Sequence, residues 1–303
     1  MKRINFIGLG NMGGRMAKRL AENGFIVAGY DPRPGVATEL GIVGLPSVAA
    51  ACDADAVFLS LPSSREVEAV FEEPGGILES AAPRLVVVDM TTAEAGSTRR
   101  LYAKAKEREI ALLDAPISGG PKPADAGTLT LMVGGDDAAL AHVRPALETL
   151  GSNIHYLGGS GNGHVAKAVN NFLNAVNLAS ASEAMVLGVK CGLDPGQLRE
   201  VINGSSGRNW ATEVRFERIL AGDYQEGALK TELMVKDLGV YLGLVDEQDA
   251  PSFLAKPTMG AYQLAIEEGH GASPANRLVD VIGDLAGGVR MHGATEEAEA
   301  SDE

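Results

Sequence analysis

An α/β fold with a doubly wound parallel sheet, followed by an all-α domain joined through one long helix, is predicted by three observations. Short β-rich runs alternate with helical runs from residue 1 to about 160, as parallel βαβ construction requires. A glycine-rich turn follows the first of these apolar runs. After Gly161-Asn162-Gly163 the pattern becomes helical and stays so to the end of the apolar sequence.

The first strand, Asn5 to Gly8, leads through Gly8, Gly10 and Gly13 into an amphipathic run, Arg15 to Asn23. In that setting the first glycine permits a tight strand-to-helix turn, the second lets backbone approach a pyrophosphate, and the third lets helix pack on strand. The phosphates then rest on free N–H groups at the helix start. Asp31 closes the second strand, Phe25 to Tyr30, and lies 23 positions after Gly8, where a carboxylate accepts from an adenosine ribose hydroxyl. A Gly-x-Gly-x-x-Gly turn alone also occurs as a plain structural corner. With strand, helix and acid all in place, this one reads as a Rossmann-type dinucleotide site.

Further strands are expected over Ala56 to Leu61, Leu85 to Met90, Ala111 to Ala115, Leu129 to Val133 and Asn153 to Tyr156. Val57-Phe58-Leu59 and Val86-Val87-Val88 are continuously apolar, which suits strands covered on both faces by helices. From His164 to Lys190 there is no proline and only Gly188. At roughly 1.5 Å per residue this is a helix of about 40 Å. Helices follow over Pro195 to Asn203, Asn209 to Leu220, Lys230 to Asp246, Pro251 to Glu268 and Ser273 to Leu285. The division is a dinucleotide-binding domain at 1–162, an interdomain helix at 163–192, an all-helical substrate and oligomerisation domain at 193–290, and an acidic tail at 291–303 expected to be disordered.

With 303 residues and 45% hydrophobic content, the chain can bury a sizeable core in two domains. Its formal charge of −14 lacks the basic footprint that nucleic acid or an anionic membrane surface requires. Five acids between Ala294 and Glu303 are local to the tail, and the remaining chain carries −9. No apolar run is read as approaching the roughly 18 residues of a membrane span. Met1-Lys2-Arg3 passes into a strand without a signal-peptide pattern, so a cytoplasmic location is expected. Cys52 and Cys191 are too few for a disulfide framework and read as small apolar residues. His142, His155, His164, His270 and His292 are scattered without ligand spacing, and no metal is expected.

On the long helix, Lys167, Asn170, Asn171, Asn174 and Asn177 fall at offsets 0, 3, 4, 7 and 10, which places them on one stripe. A solvated face normally uses Lys, Glu and Arg. Asparagine costs helix propensity and brings paired donor and acceptor groups, so the stripe points to a buried polar cleft, the plain alternative being a polar interdomain seam. Lys167 is the candidate acid, because burial lowers an ammonium pKa towards the range useful for proton transfer. Asn171, one turn later, could hold lysine or substrate in place. Asp114-Ala-Pro-Ile-Ser118-Gly119-Gly120 follows a predicted strand, at the sheet edge where ligands bind, and its Ser-Gly-Gly turn offers a hydroxyl and open N–H groups to an anion. Thr91-Thr92 and Leu61-Pro62 occupy two further strand ends, so these three loops would ring a nicotinamide. Each loop alone is equally well a plain turn.

These residues resemble the β-hydroxyacid dehydrogenases, the family of 3-hydroxyisobutyrate dehydrogenase and tartronate semialdehyde reductase, over the whole chain except the acidic tail. Gly8-Leu9-Gly10-Asn11-Met12-Gly13 is similar to the family's cofactor signature, and Asp114 to Gly120 with Gly127-Thr128-Leu129 to its substrate motif. Gly161 to Asn171 resembles its catalytic helix, and Lys236-Asp237-Leu238 a later cofactor and substrate contact. The resemblance implies Lys167 as catalytic acid/base assisted by Asn171, and substrate held by Ser118, Gly119, Gly120, Asn170 and Asp237. It implies cofactor on Gly8 to Gly13, Asp31, Arg33, Leu61, Pro62, Thr92 and Lys236, and a homodimer or homotetramer. Thr91, Ala95, Pro123 and Leu229 depart from common family residues and bear on the side-chain pocket. Ser205-Ser206-Gly207-Arg208 with Trp210 resembles the 3-hydroxyisobutyrate and 2-(hydroxymethyl)glutarate subgroups, with Arg208 either pairing a second carboxylate or lying at the surface.

The reaction so implied is hydride transfer between a nicotinamide and a small 3-hydroxyacid or its semialdehyde, with Lys167 protonating the nascent alkoxide. Asp31 favours NAD because a carboxylate repels a 2′-phosphate, while Arg33 keeps NADP as the alternative. The substrate is a small carboxylate: 3-hydroxyisobutyrate, or alternatively 2-(hydroxymethyl)glutarate or tartronate semialdehyde. A 6-phosphogluconate-type decarboxylase would carry histidine where Asn170 stands and a longer helical domain. An imine reductase, or a noncatalytic dinucleotide-binding interaction module, would have lost Lys167.

Overall fold

The computed structural model describes residues 2–225 and 229–292. The chain divides into two compact units, Met1–Ala168 and Val169–Glu303, and the division falls inside the long helix Asn162–Lys190.

The first unit is built on a six-stranded parallel sheet. Its strands are β1 (Arg3–Ile7), β2 (Ile26–Tyr30), β3 (Val43–Gly44), β4 (Ala56–Leu59), β5 (Val86–Asp89) and β6 (Ala111–Asp114), in the order β3-β2-β1-β4-β5-β6. Both faces are covered. Phe6, Phe58 and Val88 join one apolar cluster, and Ile7, Val57, Leu59 and Val87 join the other, all of them buried. Each such side chain contributes about 1.5–3 kcal/mol by leaving water. The strand order reverses between β1 and β4, so the loops leaving those two strands border the crevice where ligands bind in open α/β sheets.

The last two predicted strands do not join this sheet. β8 (Thr130–Val133) and β9 (Asn153–Tyr156) pair in parallel, and β7 (Ile117–Ser118) adds antiparallel to β8, giving a separate three-stranded sheet. Pro116 accounts for the break. It lacks the N–H needed to continue β6, and its carbonyl instead accepts from Met132 N–H at 3.1 Å. The two-residue strands β3 and β7 were not anticipated, being too short to show an alternating pattern.

The second unit is helical. Pro195–Asn203 and Thr231–Glu247 match their predicted spans closely. Three others are irregular: π-helical turns occupy Ala211–Arg215 and Ile266–His270, and a 3₁₀ turn, Ala275–Arg277, precedes Leu278–Leu285. Helix Ala255–Ala265 is therefore shorter than the predicted Pro251 to Glu268. Contrary to the expectation from composition, Asn162–Lys190 is long and apolar enough to cross a membrane by length and composition alone. Part of its apolar face is buried inside the unit, where Ala175, Leu178, Ala181, Met185 and Val186 pack with Phe216, Met234 and Tyr262, while Val169, Leu173 and Leu187 stay exposed. Of the predicted disordered tail, Met291 is buried and His292 stands edge-on to Tyr224 with ring centroids 5.5 Å apart. The acidic run from residue 294 onward lies outside the described residues.

Candidate active site

The turn after β1 is shaped by contacts that only glycine allows. Gly8 has φ +92, and a Cβ there would stand 2.3 Å from the Ser60 carbonyl oxygen; a Cβ on Gly13 would stand 2.1 Å from the Gly8 carbonyl. Gly10 is open, with nothing within 4 Å of a Cβ position. It precedes helix Asn11–Glu22, whose first turn has neither a capping side chain nor an acid. Unclaimed N–H groups beside open space fit a pyrophosphate. Among the other fingerprint residues, Leu9 is buried beneath Gly29, Met12 packs on the core, and Asn11 is exposed and accepts from Arg15 Nε at 3.2 Å.

Asp31 closes the same corner. Its Oδ2 accepts from the Leu9 N–H at 2.9 Å, and both oxygens are gripped by Arg33, Nε to Oδ1 at 2.8 Å and Nη2 to Oδ2 at 2.9 Å. The guanidinium, helped by the Leu9 and Arg33 N–H groups and opposed by burial, holds the carboxyl at about 2, below its ordinary 3.8. A cavity of about 140 Å³ adjoins the pair, lined by Pro34, Thr38 and Leu45 among others. Asp31 and Arg33 are thus each other's partners at the edge of this cavity.

Leu61 N–H donates to Thr91 Oγ1 at 3.1 Å, which ties the loops after β4 and β5 together. Pro62 is exposed and Thr92 half-buried. Ser118 lies in β7 opposite Thr130, and Gly119 and Gly120 follow with φ +137 and +82. A Cβ on Gly119 would press on Pro123, whereas Gly120 faces open space. The backbone at Gly120 therefore has open space beside it, as carboxylate binding would need.

The long helix starts under tight control. Asp114, fully buried, accepts from the N–H groups of Gly161 at 2.7 Å and His164 at 3.0 Å, one oxygen each. This cap ties the end of β6 to the helix turn that precedes Lys167. Lys167 is 8% exposed. Asn171 is buried one turn later, where its Nδ2 donates to Asp237 Oδ2 at 2.6 Å and its Oδ1 accepts from Asn170 at 3.2 Å. Lys236 Nζ stands 3.1 Å from Asp237 Oδ1. The two Asp237 oxygens thus face Asn171 and Lys236, one each. Asn170 is exposed, so the predicted polar stripe is buried only at Lys167 and Asn171 and half-buried at Asn174 and Asn177.

Arg208 is exposed and pairs with Glu213 at 3.5 Å. The arginine held inside is Arg215, which the sequence reading passed over. Its Nη1 donates to Asn276 Oδ1 at 2.6 Å and its Nη2 to Asn174 Oδ1 at 3.2 Å, and its Cζ lies 5.1 Å from the centre of the Trp210 ring. Its Nε is buried without a partner, and among the described residues no carboxylate pairs with it. Burial pushes its pKa below the ordinary arginine value. The signal in the sequence was only that Arg215 is flanked by Val214 and Phe216. His164 was also missed, since a single histidine in an alanine- and valine-rich stretch has no periodic signature.

Comparison with known proteins resolves the class. Residues 3–158 match the family described as the NAD binding domain of 6-phosphogluconate dehydrogenase, and residues 161–282 that described as NAD-binding of NADP-dependent 3-hydroxyisobutyrate dehydrogenase. The chain is 41% identical over 256 residues to 2-(hydroxymethyl)glutarate dehydrogenase of Eubacterium barkeri, covering 82% of this chain and 84% of that one. The chain belongs to the β-hydroxyacid dehydrogenase family. NAD-dependent L-serine dehydrogenase of Pseudomonas aeruginosa is 38% identical, with 89% and 94% covered. The solved structure of Mycobacterium tuberculosis 3-hydroxyisobutyrate dehydrogenase with L-serine superposes with a TM-score of 0.85 at 32% identity, covering 94% and 99%. As a β-hydroxyacid dehydrogenase the chain is an NAD(P)-dependent oxidoreductase acting on CH–OH groups. The match of the helical region separates it from the 6-phosphogluconate-type decarboxylases considered above.

Proposed function

We propose that the chain oxidises a small 3-hydroxyacid to its semialdehyde with NAD, and catalyses the reverse reduction, with Lys167 as the general acid/base. The observation that carries this reading is the buried Lys167 amine, set one turn before an Asn171 whose amide is fixed by Asp237. In the oxidative direction Lys167 Nζ accepts the hydroxyl proton; in reduction its ammonium returns that proton to the alkoxide. When bound, the nicotinamide accepts or supplies the hydride. Ser118, Gly119 and Gly120 hold the substrate carboxylate, and Asn171 keeps one amide hydrogen for the reacting oxygen. Gly8 to Gly13, Asp31, Leu61, Pro62, Thr92 and Lys236 hold the cofactor.

The test is a screen of 3-hydroxyisobutyrate, L-serine, glycerate and 2-(hydroxymethyl)glutarate, each with NAD⁺ and NADP⁺, read by the change in nicotinamide absorbance. Turnover of at least one acid, faster with NAD⁺, is the expected outcome. Absence of turnover with all four would remove the reading.

Arg215 favours one substrate class within it. A buried guanidinium without an anion is costly to the fold, and an incoming carboxylate would offset that cost. We therefore expect the diacid 2-(hydroxymethyl)glutarate to outperform 3-hydroxyisobutyrate in kcat/KM by about tenfold or more, the worth of one charge-assisted hydrogen bond. Arg215→Gln should erase that preference. Equal losses for both acids would make Arg215 a structural residue instead.

Exposed Leu173, Leu187, Leu193, Trp210, Phe253 and Leu285 support association into a homodimer or homotetramer, to be checked by light scattering on the purified protein. Two unpaired cysteines support a reducing, cytoplasmic setting.

A further inference from the structure

His164 is 1% exposed, and its backbone N–H and both ring nitrogens are engaged. The N–H donates to Asp114, as described. Nε2 lies 2.9 Å from the Thr91 carbonyl oxygen, and Nδ1 lies 2.7 Å from Thr98 Oγ1. A carbonyl only accepts, so Nε2 carries a ring hydrogen, while Nδ1 faces a Thr98 hydroxyl that also lies 3.2 Å from the Glu94 carbonyl oxygen. Thr91 is itself a junction. Its N–H donates to Asp89 Oδ1 at 3.0 Å, and its hydroxyl accepts from Leu61 N–H at 3.1 Å. The Asp89 carboxylate completes the surroundings, with Oδ2 3.9 Å from Nε2.

One chain of hydrogen bonds, part-buried at Leu61 and buried at Thr91 and His164, therefore runs from the loop after β4, through the loop after β5, to the helix turn that precedes Lys167. All of it lies within the first unit. Lys167 follows His164 by three residues, so the two share a helix face. Without the ring, the Asp114 cap would still hold the helix end but would leave its rotation about the cap unspecified. Two fixed points set both position and direction.

We infer that His164 is a positioning residue, whose ring sets the Lys167 helix in register with the Leu61 and Thr91-Thr92 loops. The inference rests on the reading of Lys167 as acid/base and of those loops as cofactor contacts. A misplacement of about 1 Å at a reacting centre can cost 10²-fold in rate, so a modest loss of register has a measurable effect.

Two replacements separate the ring's contacts. His164→Asn keeps a polar group near Thr98 but is too short for the Thr91 carbonyl, whereas His164→Gln reaches it with an amide N–H. Hydride transfer is measured in single turnovers with NAD⁺ and the acid oxidised fastest in the screen above. We expect His164→Asn to slow transfer by about tenfold or more and His164→Gln to stay within about threefold of the parent. NADH affinity, read by fluorescence, should stay within about threefold in both. Without nucleotide, amide hydrogen exchange at residues 91–93 and 161–167 should accelerate in His164→Asn and remain slow in His164→Gln. A folded His164→Asn protein with parental transfer and parental exchange overturns the inference. Lys167→Ala is run beside it. If that variant loses turnover while His164→Asn does not, only the positioning role falls; if Lys167→Ala retains turnover, the acid/base reading falls and this inference with it. Should His164→Asn fail to fold, Thr98→Val, which removes the hydroxyl that orients the ring, is judged by the same two measurements.

Discussion

Lys167→Ala is expected to lower kcat by about 10³-fold, or about 4 kcal/mol of transition-state stabilisation, while leaving KM for the acid within a few fold. The split follows from the position of the amine. Substrate carboxylate binding is assigned to Ser118, Gly119 and Gly120 at the far end of β7, so removing Nζ removes a proton acceptor and not an anchor. Lys167→Met preserves most of the side-chain volume and should be as inactive as the alanine variant. The alanine variant also leaves space, and a small primary amine such as methylamine should restore part of the rate in proportion to its free-base concentration. The limb of the kcat profile that reports deprotonation of the general base should vanish with Lys167 and return at the added amine's own pKa. Retention of most turnover by Lys167→Ala with every good substrate would mean that another group moves the proton.

The glycine turn after β1 was readable because its demands are negative ones. Gly8 and Gly13 stand where any Cβ would collide with a backbone carbonyl 2.3 or 2.1 Å away, and that demand leaves a visible mark in a single sequence. The runs Val57 to Leu59 and Val86 to Val88 were equally plain, since a strand covered on both faces has no polar side to show. What escaped were pairings across long separations. Asn171 and Asp237 are 66 residues apart, and nothing in either neighbourhood says that the carboxylate is committed to the amide. Arg208 and Arg215 could not be ranked from the sequence, because the π-helical turn Ala211–Arg215 shifts the helix register just where a 3.6-residue pattern would have been used to decide which one points inward. His164 was invisible for a further reason: its function lies in contacts to Thr91 and Thr98, residues of a different loop and helix.

Replacing Asp31 with serine is expected to move the ratio of kcat/KM for NAD over NADP by about 10²-fold towards NADP, because two effects act in the same direction. NAD loses a charged acceptor for its ribose hydroxyls. NADP loses a repelling carboxylate and gains Arg33, which in the parent is bound to both Asp31 oxygens. Arg33→Ala should do the reverse, abolishing residual use of NADP while NAD affinity holds or improves, since the oxygens it occupied become available to the diol. A loss of NAD affinity in Arg33→Ala would instead mean that the arginine, and not the acid, grips the nucleotide. The pH dependence provides an independent check. With the Asp31 carboxyl held at about 2, its contribution is complete above the ordinary value of 3.8 and is lost only as pH falls through about 2. NAD affinity should therefore show no Asp31 titration between about pH 5 and 9. Removing the guanidinium should return the carboxyl towards its ordinary value, a shift that carbon-detected NMR of the Asp31 side chain would register directly.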